Sequence, residues 1–390
     1  MSNVRAVAAR VLMDADRLFV DEALEKHRGA GLSRRDRALL TTLVYGVVRM
    51  KRPLDWLIDR CAKHAHPEIR QHLRVALYQI RYLSRIPRHA AVNEAVELAK
   101  GVNRRAAGFV NAVLRKAADL PLPEAPLGLV YSHPDWLVQR WQSRWDRKTL
   151  EAVLEADNAV LPVTARVNRL KVKDGLDLVE VEGDPTSDPR FQSGEYTVQD
   201  ETSMRVAPWL APQAGERVLD LAAAPGGKTT HLAELMEGKG TVTAVDLPDR
   251  IGLVEAAAKR LGLSNIACVP GDGSSIAFDA PFDAILLDAP CSNTGVLARR
   301  PDVRWRLRES DIAGAVEMQR RLLANAARLL KPGGRLVYST CSLEPEENRV
   351  ELPGLKVLKE EFTLPTPTHA GGYMALIEKL SDSLSAKPSD

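Results

Sequence analysis

Cysteine is scarce in this 390-residue chain: four in all, at positions 61, 268, 291 and 341. Their spacing matches neither a metal-ligand set nor a disulfide framework, which fits a reduced setting without a metal. No run of about 18 apolar residues occurs, so no membrane span is expected. Acidic residues arrive at Asp14 and Asp16, too early for the apolar core of a secretory signal. A cytoplasmic protein is therefore expected, monomeric by default. No internal repeat or low-complexity tract stands out.

Net charge is also small, +3, but unevenly spread. Residues 1–120 hold 23 Lys and Arg against 12 Asp and Glu, a net of +11, while the remaining 270 hold 31 against 39, a net of −8. Such asymmetry is expected when a basic module meets nucleic acid and is joined to a module with another task. The blander alternative is a solvated, Arg-rich helical face.

Three stretches differ in rhythm. Residues 1–125 form the first module. Within it, residues 4–118 read as helical, with apolar stripes at Val4, Val7 and Val11, at Leu39, Leu43 and Val47, at Ile69, Leu73 and Leu77, and at Phe109, Val113 and Leu114. Gly31-Leu32-Ser33, Pro53, Pro67, Pro87 and Gly101 are the expected breaks. Residues 126–200 begin in a Pro-rich linker and continue as a small α+β part. A helix is expected near Leu137–Trp145, and strands at 163–168 and 195–199. Residues 201–382 alternate strand and helix. Apolar runs end at Asp220, Asp246, Asp272, Asp288 and Cys341, with helical stretches between most of them. This is a βα repeat, hence a mainly parallel, doubly wound sheet. Ligands of such sheets bind in the crevice at the carboxyl ends of the strands, where these five polar residues collect.

The first of those ends runs into Ala222-Ala223-Ala224-Pro225-Gly226-Gly227-Lys228-Thr229. Two glycines let the backbone pass close to a ligand. A phosphate-binding loop must be weighed, because Gly227-Lys228-Thr229 ends that motif. Its required upstream glycine is replaced by Ala222, and Pro225 removes an amide. Asp246 suits a ribose diol, Arg250 follows at the start of the next helix, and Asp272 suits an adenine amino group. Gly-x-Gly-x-x-Gly is absent, which disfavours NAD. S-adenosyl-L-methionine fits the set better. Singly, each aspartate also reads as a helix cap.

Cys291 and Cys341 each follow a strand at the ligand edge. A thiolate can add to C6 of cytosine and make C5 nucleophilic enough to take a methyl group. A protonated Asp288 is suited to donate to N3 during addition, and Lys228 to tune that carboxyl. Amino methylation would call for an aromatic after the fourth strand, where Asp288-Ala289-Pro290-Cys291 stands instead. Cys61 and Cys268 read as small core residues. Residue chemistry alone leaves open which cysteine of the pair is the nucleophile.

The motifs Ala223–Thr229, Asp288-Ala289-Pro290-Cys291-Ser292, Thr294-Gly295, Arg300-Pro301-Asp302 and Ser339-Thr340-Cys341-Ser342, followed by Glu344-Pro345-Glu346-Glu347-Asn348, are highly specific as a set. With Gln199-Asp200-Glu201-Thr202-Ser203, they make the chain resemble the Nop/Sun family of RNA cytosine-C5 methyltransferases. Residues 1–118 resemble the NusB fold through Glu94–Lys100 and Gly108–Arg115. The resemblance implies a Rossmann-like class I methyltransferase domain, an all-α NusB-like domain before it and a small α+β RNA-binding subdomain between them. It implies S-adenosyl-L-methionine as cofactor, held by Ala222–Lys228, Asp246, Arg250, Asp272 and Asp288. It makes Cys341 the nucleophile and gives Cys291 product release, with Asp288 and Lys228 also catalytic. The fused helical domain points to 16S ribosomal RNA rather than transfer RNA. Ala222 stands where many relatives have cysteine. The subdomain between Lys171 and Phe191 is short, and Gly371-Gly372-Tyr373 lacks the family's preceding aspartate.

Arg34, Arg35, Arg104 and Arg105 are the expected phosphate contacts of the helical module, together with Arg115 and Lys116. Arg166 and Asn168 are expected to meet RNA in the small subdomain. Arg299, Arg300, Arg304, Arg306 and Arg308 surround Trp305 in a stretch suited to a flipped base and its strand. A non-catalytic RNA-binding or antitermination factor is the rival reading. Intact Cys291, Cys341, Asp288 and Lys228 favour the enzyme.

Overall fold

The computed structural model describes residues 3–27 and 29–381. Residue 382, the expected end of the third module, lies outside them. The chain forms two compact units: one runs to Asn158 and includes Arg300–Arg306, and the other holds Ala159–Arg299 and the chain from Leu307 onward.

The first unit opens with helices α1 (Val4–Asp14), α2 (Val20–Lys26), α3 (Arg34–Arg49), α4 (Lys51–Cys61), α5 (Pro67–Tyr82), α6 (Arg88–Val102) and α7 (Ala106–Ala117). The four apolar stripes fall on α1, α3, α5 and α7, and Val7, Val11, Leu43, Val47, Leu73, Leu77 and Leu114 are buried together. Side chains start the helices: Asn3 Oδ1 accepts from Arg5 N at 2.9 Å, and Ser33 Oγ accepts from Asp36 N at 3.1 Å. Pro67 opens α5, where its missing amide costs nothing. Pro53 and Gly101, expected as breaks, instead lie inside α4 and α6, within three residues of an end. Pro53 is tolerated there because first-turn amides have no intrahelical partner. α3 packs so close to α5 that a Cβ on Gly46 would fall 1.9 Å from Tyr78 Cζ.

Three further helices, Leu127–Val130, Asp135–Gln142 and Arg147–Ala156, belong to the same compact unit, which runs to residue 158. Arg52 ties them to α4: its Nη1 donates to His133 O and its Nη2 to Asp135 Oδ2, both at 2.6 Å.

The second unit contains two sheets. The smaller is antiparallel, order β2-β1-β3, from β1 (Thr164–Val167), β2 (Leu178–Glu180) and β3 (Tyr196–Val198). The larger has seven strands: β4 (Arg217–Asp220), β5 (Thr241–Asp246), β6 (Ile266–Pro270), β7 (Phe282–Asp288), β8 (Leu330–Thr340), β9 (Leu355–Thr363) and β10 (Gly372–Lys379), in the order β6-β5-β4-β7-β8-β10-β9. The first five in that order are parallel, and β10 runs antiparallel to both of its neighbours, β8 and β9. Alternation along β7 divides the core. Ile285 and Leu287 pack with Leu322, Leu323 and Ala326 of the helix Glu309–Leu329, while Ala284 and Leu286 pack with Val206, Leu210 and Leu232 on the other face. Strand order reverses between β4 and β7, which puts the ligand crevice at the ends of those two strands.

The β9–β10 hairpin was not anticipated. β9 is an edge strand with most of its side chains in solvent, so its Lys and Glu residues give no buried alternation to read.

Candidate active site

β4 delivers Asp220 and then the glycine-rich loop. Gly226 has φ +102°, and the helix Gly227–Leu235 starts directly after it. A side chain there would be strained, which explains the first glycine of the pair. Lys228, in the first turn of this helix, sets its Nζ 2.5 Å from Asp288 Oδ2 at the end of β7. The other oxygen, Asp288 Oδ1, accepts from Ser339 Oγ of the neighbouring strand β8 at 2.6 Å. Burial works against the charge on Lys228, but the charge and hydrogen bond of Asp288 raise its pKa above the ordinary value.

Two chambers meet at this pair. One is lined by Asp220, Ala222, Ala223, Ala224, Pro225, Gly227, Lys228 and Asp288, with Gln199, Asp200 and Ser203 opposite. The other is lined by Lys228, Asp288, Ser339, Thr340 and Cys341, with Asp200, Arg299, Gly371 and Gly372. Of the residues expected around a cofactor, Asp246 is engaged with the loop itself: its oxygens accept from Ala224 N and Leu247 N, each at 2.8 Å. Arg250 Nε stands 3.7 Å from Asp246. Asp272 lies two residues beyond β6, exposed, and accepts from Ser274 N at 2.8 Å. No helix follows it, so Asp272 holds a turn rather than the helix cap weighed from sequence.

Asp220 went unnoticed as a site residue. It is buried, its Oδ2 accepts from Thr229 Oγ1 at 2.7 Å, and its Oδ1 has no partner among the described residues. Burial pushes its pKa up to about 7. A buried carboxyl with an uncompensated oxygen in a chamber wall is suited to a cationic ligand such as a sulfonium or ammonium group. The residues present thus fit S-adenosyl-L-methionine.

Cys341 lines the second chamber, and Cys291 lies against it outside that lining. Their Sγ atoms are 3.3 Å apart. Asn293 links them: its Nδ2 donates to Cys291 O at 2.9 Å, and its Oδ1 accepts from Cys341 Sγ at 3.2 Å. Asn293 has φ +60°, a conformation Asn tolerates better than most side chains. The hydrogen bond with Cys341, reinforced by burial, raises the Cys291 pKa well above the usual thiol range. Either sulfur can donate the hydrogen bond between them. Behind the Cys291 loop, buried Glu347 accepts from Ser292 N at 2.9 Å and from Gln319 Nε2 at 3.2 Å. Thr340 Oγ1 donates to Asn348 Oδ1 at 2.6 Å.

Residues 207–367 match the model for 16S rRNA methyltransferase RsmB/F, residues 2–119 the NusB family, and residues 133–175 the RsmF/B-like ferredoxin-like domain. A protein from Escherichia coli O1:K1, named ribosomal RNA small subunit methyltransferase B, is 39% identical over 357 residues, covering 82% of each chain. A Synechocystis relative, given the same name with the qualifier "probable", is 36% identical over 397 residues, covering 90% of this chain and 88% of its own. The chain belongs to this family of small-subunit ribosomal RNA methyltransferases. Among solved structures, a methyltransferase homolog from Pyrococcus horikoshii aligns with TM-score 0.58 at 30% identity, over 65% of this chain and 97% of that one. The architecture is accordingly a NusB-like helical domain, a ferredoxin-like subdomain and a Rossmann-like methyltransferase domain.

Three of the basic and polar residues expected to meet RNA are used internally. Arg166 is buried and pairs with Glu234, while its Nε donates to Gln199 Oε1 at 2.7 Å and its Nη2 to Thr230 Oγ1 at 3.0 Å. It braces the helix that carries Lys228. Asn168 is buried, with Nδ2 donating to Gly194 O and Leu261 O, both at 3.1 Å. Arg304 is buried in the first unit, donating to Ser132 O at 3.1 Å and to Asn158 Oδ1 and Asp157 O at 2.8 Å. Its neighbours are likewise engaged: Trp305 Nε1 donates to Val48 O and Arg306 Nη2 to Ala15 O, each at 2.8 Å. The stretch is therefore a docked segment rather than an exposed loop. Arg34, Arg35, Arg104, Arg105, Arg115, Lys116 and Arg300 are exposed. In the second unit, Arg299 Nε donates to Asp200 Oδ2 at 2.8 Å, so it shapes the second chamber. Asp200, Ser339 and Asn293 each sit inside or beside a motif read from the sequence, which was the available signal for them.

Proposed function

We propose that the protein transfers a methyl group from S-adenosyl-L-methionine to C5 of a cytosine in 16S ribosomal RNA, through a transient bond between Cys341 and C6 of the base. The observation that carries this reading is the 3.3 Å contact between Cys291 and Cys341 Sγ, in a unit where Lys228 Nζ and Asp288 Oδ2 are 2.5 Å apart at the same chamber. C5 of cytosine is a poor nucleophile. Thiolate addition at C6 turns the ring into an enamine whose C5 can attack an alkyl donor. Cys341 makes that addition, because it lines the chamber and Cys291 does not. The nearby Lys228 charge favours the thiolate.

As the sulfur adds, the Lys228–Asp288 pair gives a proton to N3, and Ser339 orients Asp288 for it. Bound S-adenosyl-L-methionine supplies a methyl group activated by its sulfonium, and Asp220, Ala222–Pro225, Gly227 and Lys228 line the chamber that would hold it. Release runs through Cys291. As the C5 proton departs to base, the C6–S bond breaks, N3 returns its proton to the Lys228–Asp288 pair, and the Cys291 thiol stabilises the leaving sulfur by a hydrogen bond. Exposed Arg34, Arg35, Arg104, Arg105 and Arg300 serve as phosphate contacts in this reading.

Cys341→Ser is expected to reduce methyl incorporation into 16S ribosomal RNA to background. Cys291→Ser is expected to accumulate a denaturation-resistant protein–RNA adduct through Cys341. Bisulfite mapping of ribosomal RNA with and without the protein identifies the modified base. Methylation by Cys341→Ser at the parental rate would sink the assignment.

A further inference from the structure

The same two sulfurs have a second chemistry open to them. They sit on loops that leave β7 and β8, parallel neighbours paired through Asp288 and Ser339. The loops are stitched together next to the sulfurs: Gly295 N donates to Cys341 O at 2.9 Å, and the Ser292 and Ser342 hydroxyls lie 3.0 Å apart. The sulfurs lie 3.3 Å apart, so a disulfide of about 2.05 Å needs them to approach by little more than an ångström. Cys341 forms part of the open chamber wall and Cys291 does not. An oxidant entering the chamber therefore meets Cys341 first, with Cys291 directly behind it.

We propose that Cys291 and Cys341 form an oxidative modification site, at which a peroxide closes an intramolecular disulfide and withdraws Cys341 from the chamber. The Cys341 thiolate attacks one peroxide oxygen, the O–O bond breaks, and hydroxide leaves a sulfenic acid on Cys341. The Cys291 sulfur then attacks the Cys341 sulfur. The S–O bond breaks, and the departing hydroxide leaves as water with the Cys291 proton. Two thiols and one hydrogen peroxide give one disulfide and two waters. A resolving thiol at this distance stops oxidation at a reversible stage, where an isolated sulfenic acid would proceed to the irreversible sulfinic acid. A thiol reductant reopens the bond by exchange. Bond formation stands independently of the proposed cytosine chemistry. Only its effect on turnover rests on that reading.

The test uses the full-length protein treated with a few-fold excess of hydrogen peroxide, blocked with iodoacetamide and digested without reductant. Mass spectrometry is expected to show the Cys291 and Cys341 peptides joined, at about 2 Da below the sum of the two thiol forms. Methyl transfer is expected to fall at least tenfold and to return with dithiothreitol. In Cys291→Ser, the same dose is expected to carry Cys341 to the sulfinic acid. Parent protein in which Cys341 becomes a sulfinic acid while Cys291 stays alkylatable overturns the proposal, as do two thiols that both stay alkylatable. Joined peptides with undiminished methyl transfer overturn it too. The Cys341→Ser assay on RNA reports separately on the nucleophile, so the two failures are distinguishable.

Discussion

Lys228 Nζ and Asp288 Oδ2 lie 2.5 Å apart on the wall that two chambers share. Neither side chain is placed there by helix or strand propensity. One comes from the first turn after the glycine pair and the other from the end of β7, and they meet because strand order reverses between β4 and β7. A pair that supplies a proton during thiolate addition is worth about 10²–10⁴-fold in rate. Asp288→Asn keeps an acceptor for Ser339 but loses the ion pair, and Lys228→Met removes the proton source. Both are expected to slow single-turnover methyl transfer by that factor while thermal unfolding shows the fold intact. An Asp288→Asn variant within threefold of the parent would remove the pair from the mechanism.

Asp220 makes a pH prediction with a defined sign. Its folded-state pKa is about 7, raised from 3.8 by burial. The folded state therefore keeps a proton that the unfolded chain has already released between about pH 4 and pH 7. Stability fully present below that window is lost as pH rises through it, by at most the order of 4 kcal/mol. Asp220→Asn abolishes this titration and can still accept from Thr229. The melting temperature of the variant minus that of the parent is expected to rise from pH 5 to pH 8. A difference that falls over this range would show that Asp220 is not a buried carboxyl in solution.

Arg166 and Glu234 test whether the β1 arginine is structural. The pair is almost wholly buried, with side chains 2% and 5% exposed. Removing one partner strands the other charge, so Arg166→Ala is expected to cost about 3–5 kcal/mol in denaturant unfolding. The double change Arg166→Met with Glu234→Leu is expected to recover most of that. Neutralising Arg34, Arg35, Arg104 and Arg105 is expected to do the reverse: leave unfolding unchanged, weaken RNA binding and flatten its salt dependence by up to about one log–log unit per lost phosphate contact. An Arg166→Ala protein of parental stability with weakened RNA binding would restore the surface reading.

Much of the site was legible because its chemistry repeats along the chain. Apolar runs ending in Asp or Cys mark the carboxyl edge of a parallel sheet, and the Cys291 and Cys341 motifs stand out against a chain poor in cysteine. What escaped was decided by groups that sequence patterns do not display. Arg304 and Arg306 look like surface charge, yet their acceptors are backbone carbonyls of Ser132, Asp157 and Ala15. Arg166 lies on a strand with no exposed face, and Asn168 follows its end, buried too, so polarity there means internal bonding rather than solvent. Asp220 was passed over in favour of Asp246 and Asp272. All three end or follow strands: Asp272 is exposed, Asp246 is buried with both oxygens taken by amides, and Asp220 is buried with one oxygen lacking a partner among the described residues.

Asn293 offers the sharpest separation of geometry from chemistry. Its left-handed backbone costs about 1 kcal/mol or somewhat more for a non-glycine residue, so glycine would be the easier choice if the turn alone mattered. The amide instead spans both cysteines, with Nδ2 on Cys291 O and Oδ1 accepting from Cys341 Sγ. An acceptor at the sulfur stabilises the thiol over the thiolate. Asn293→Gly removes it without straining the turn, and the pH–rate profile for methyl transfer is expected to move to lower pH. Asn293→Asp puts a negative charge at the same place, and the profile is expected to move to higher pH, with the rate at pH 7 down about tenfold for each unit of displacement. Opposite displacements from one position cannot arise from general damage to the loop. Profiles that coincide with the parent in both variants would reduce Asn293 to a turn residue.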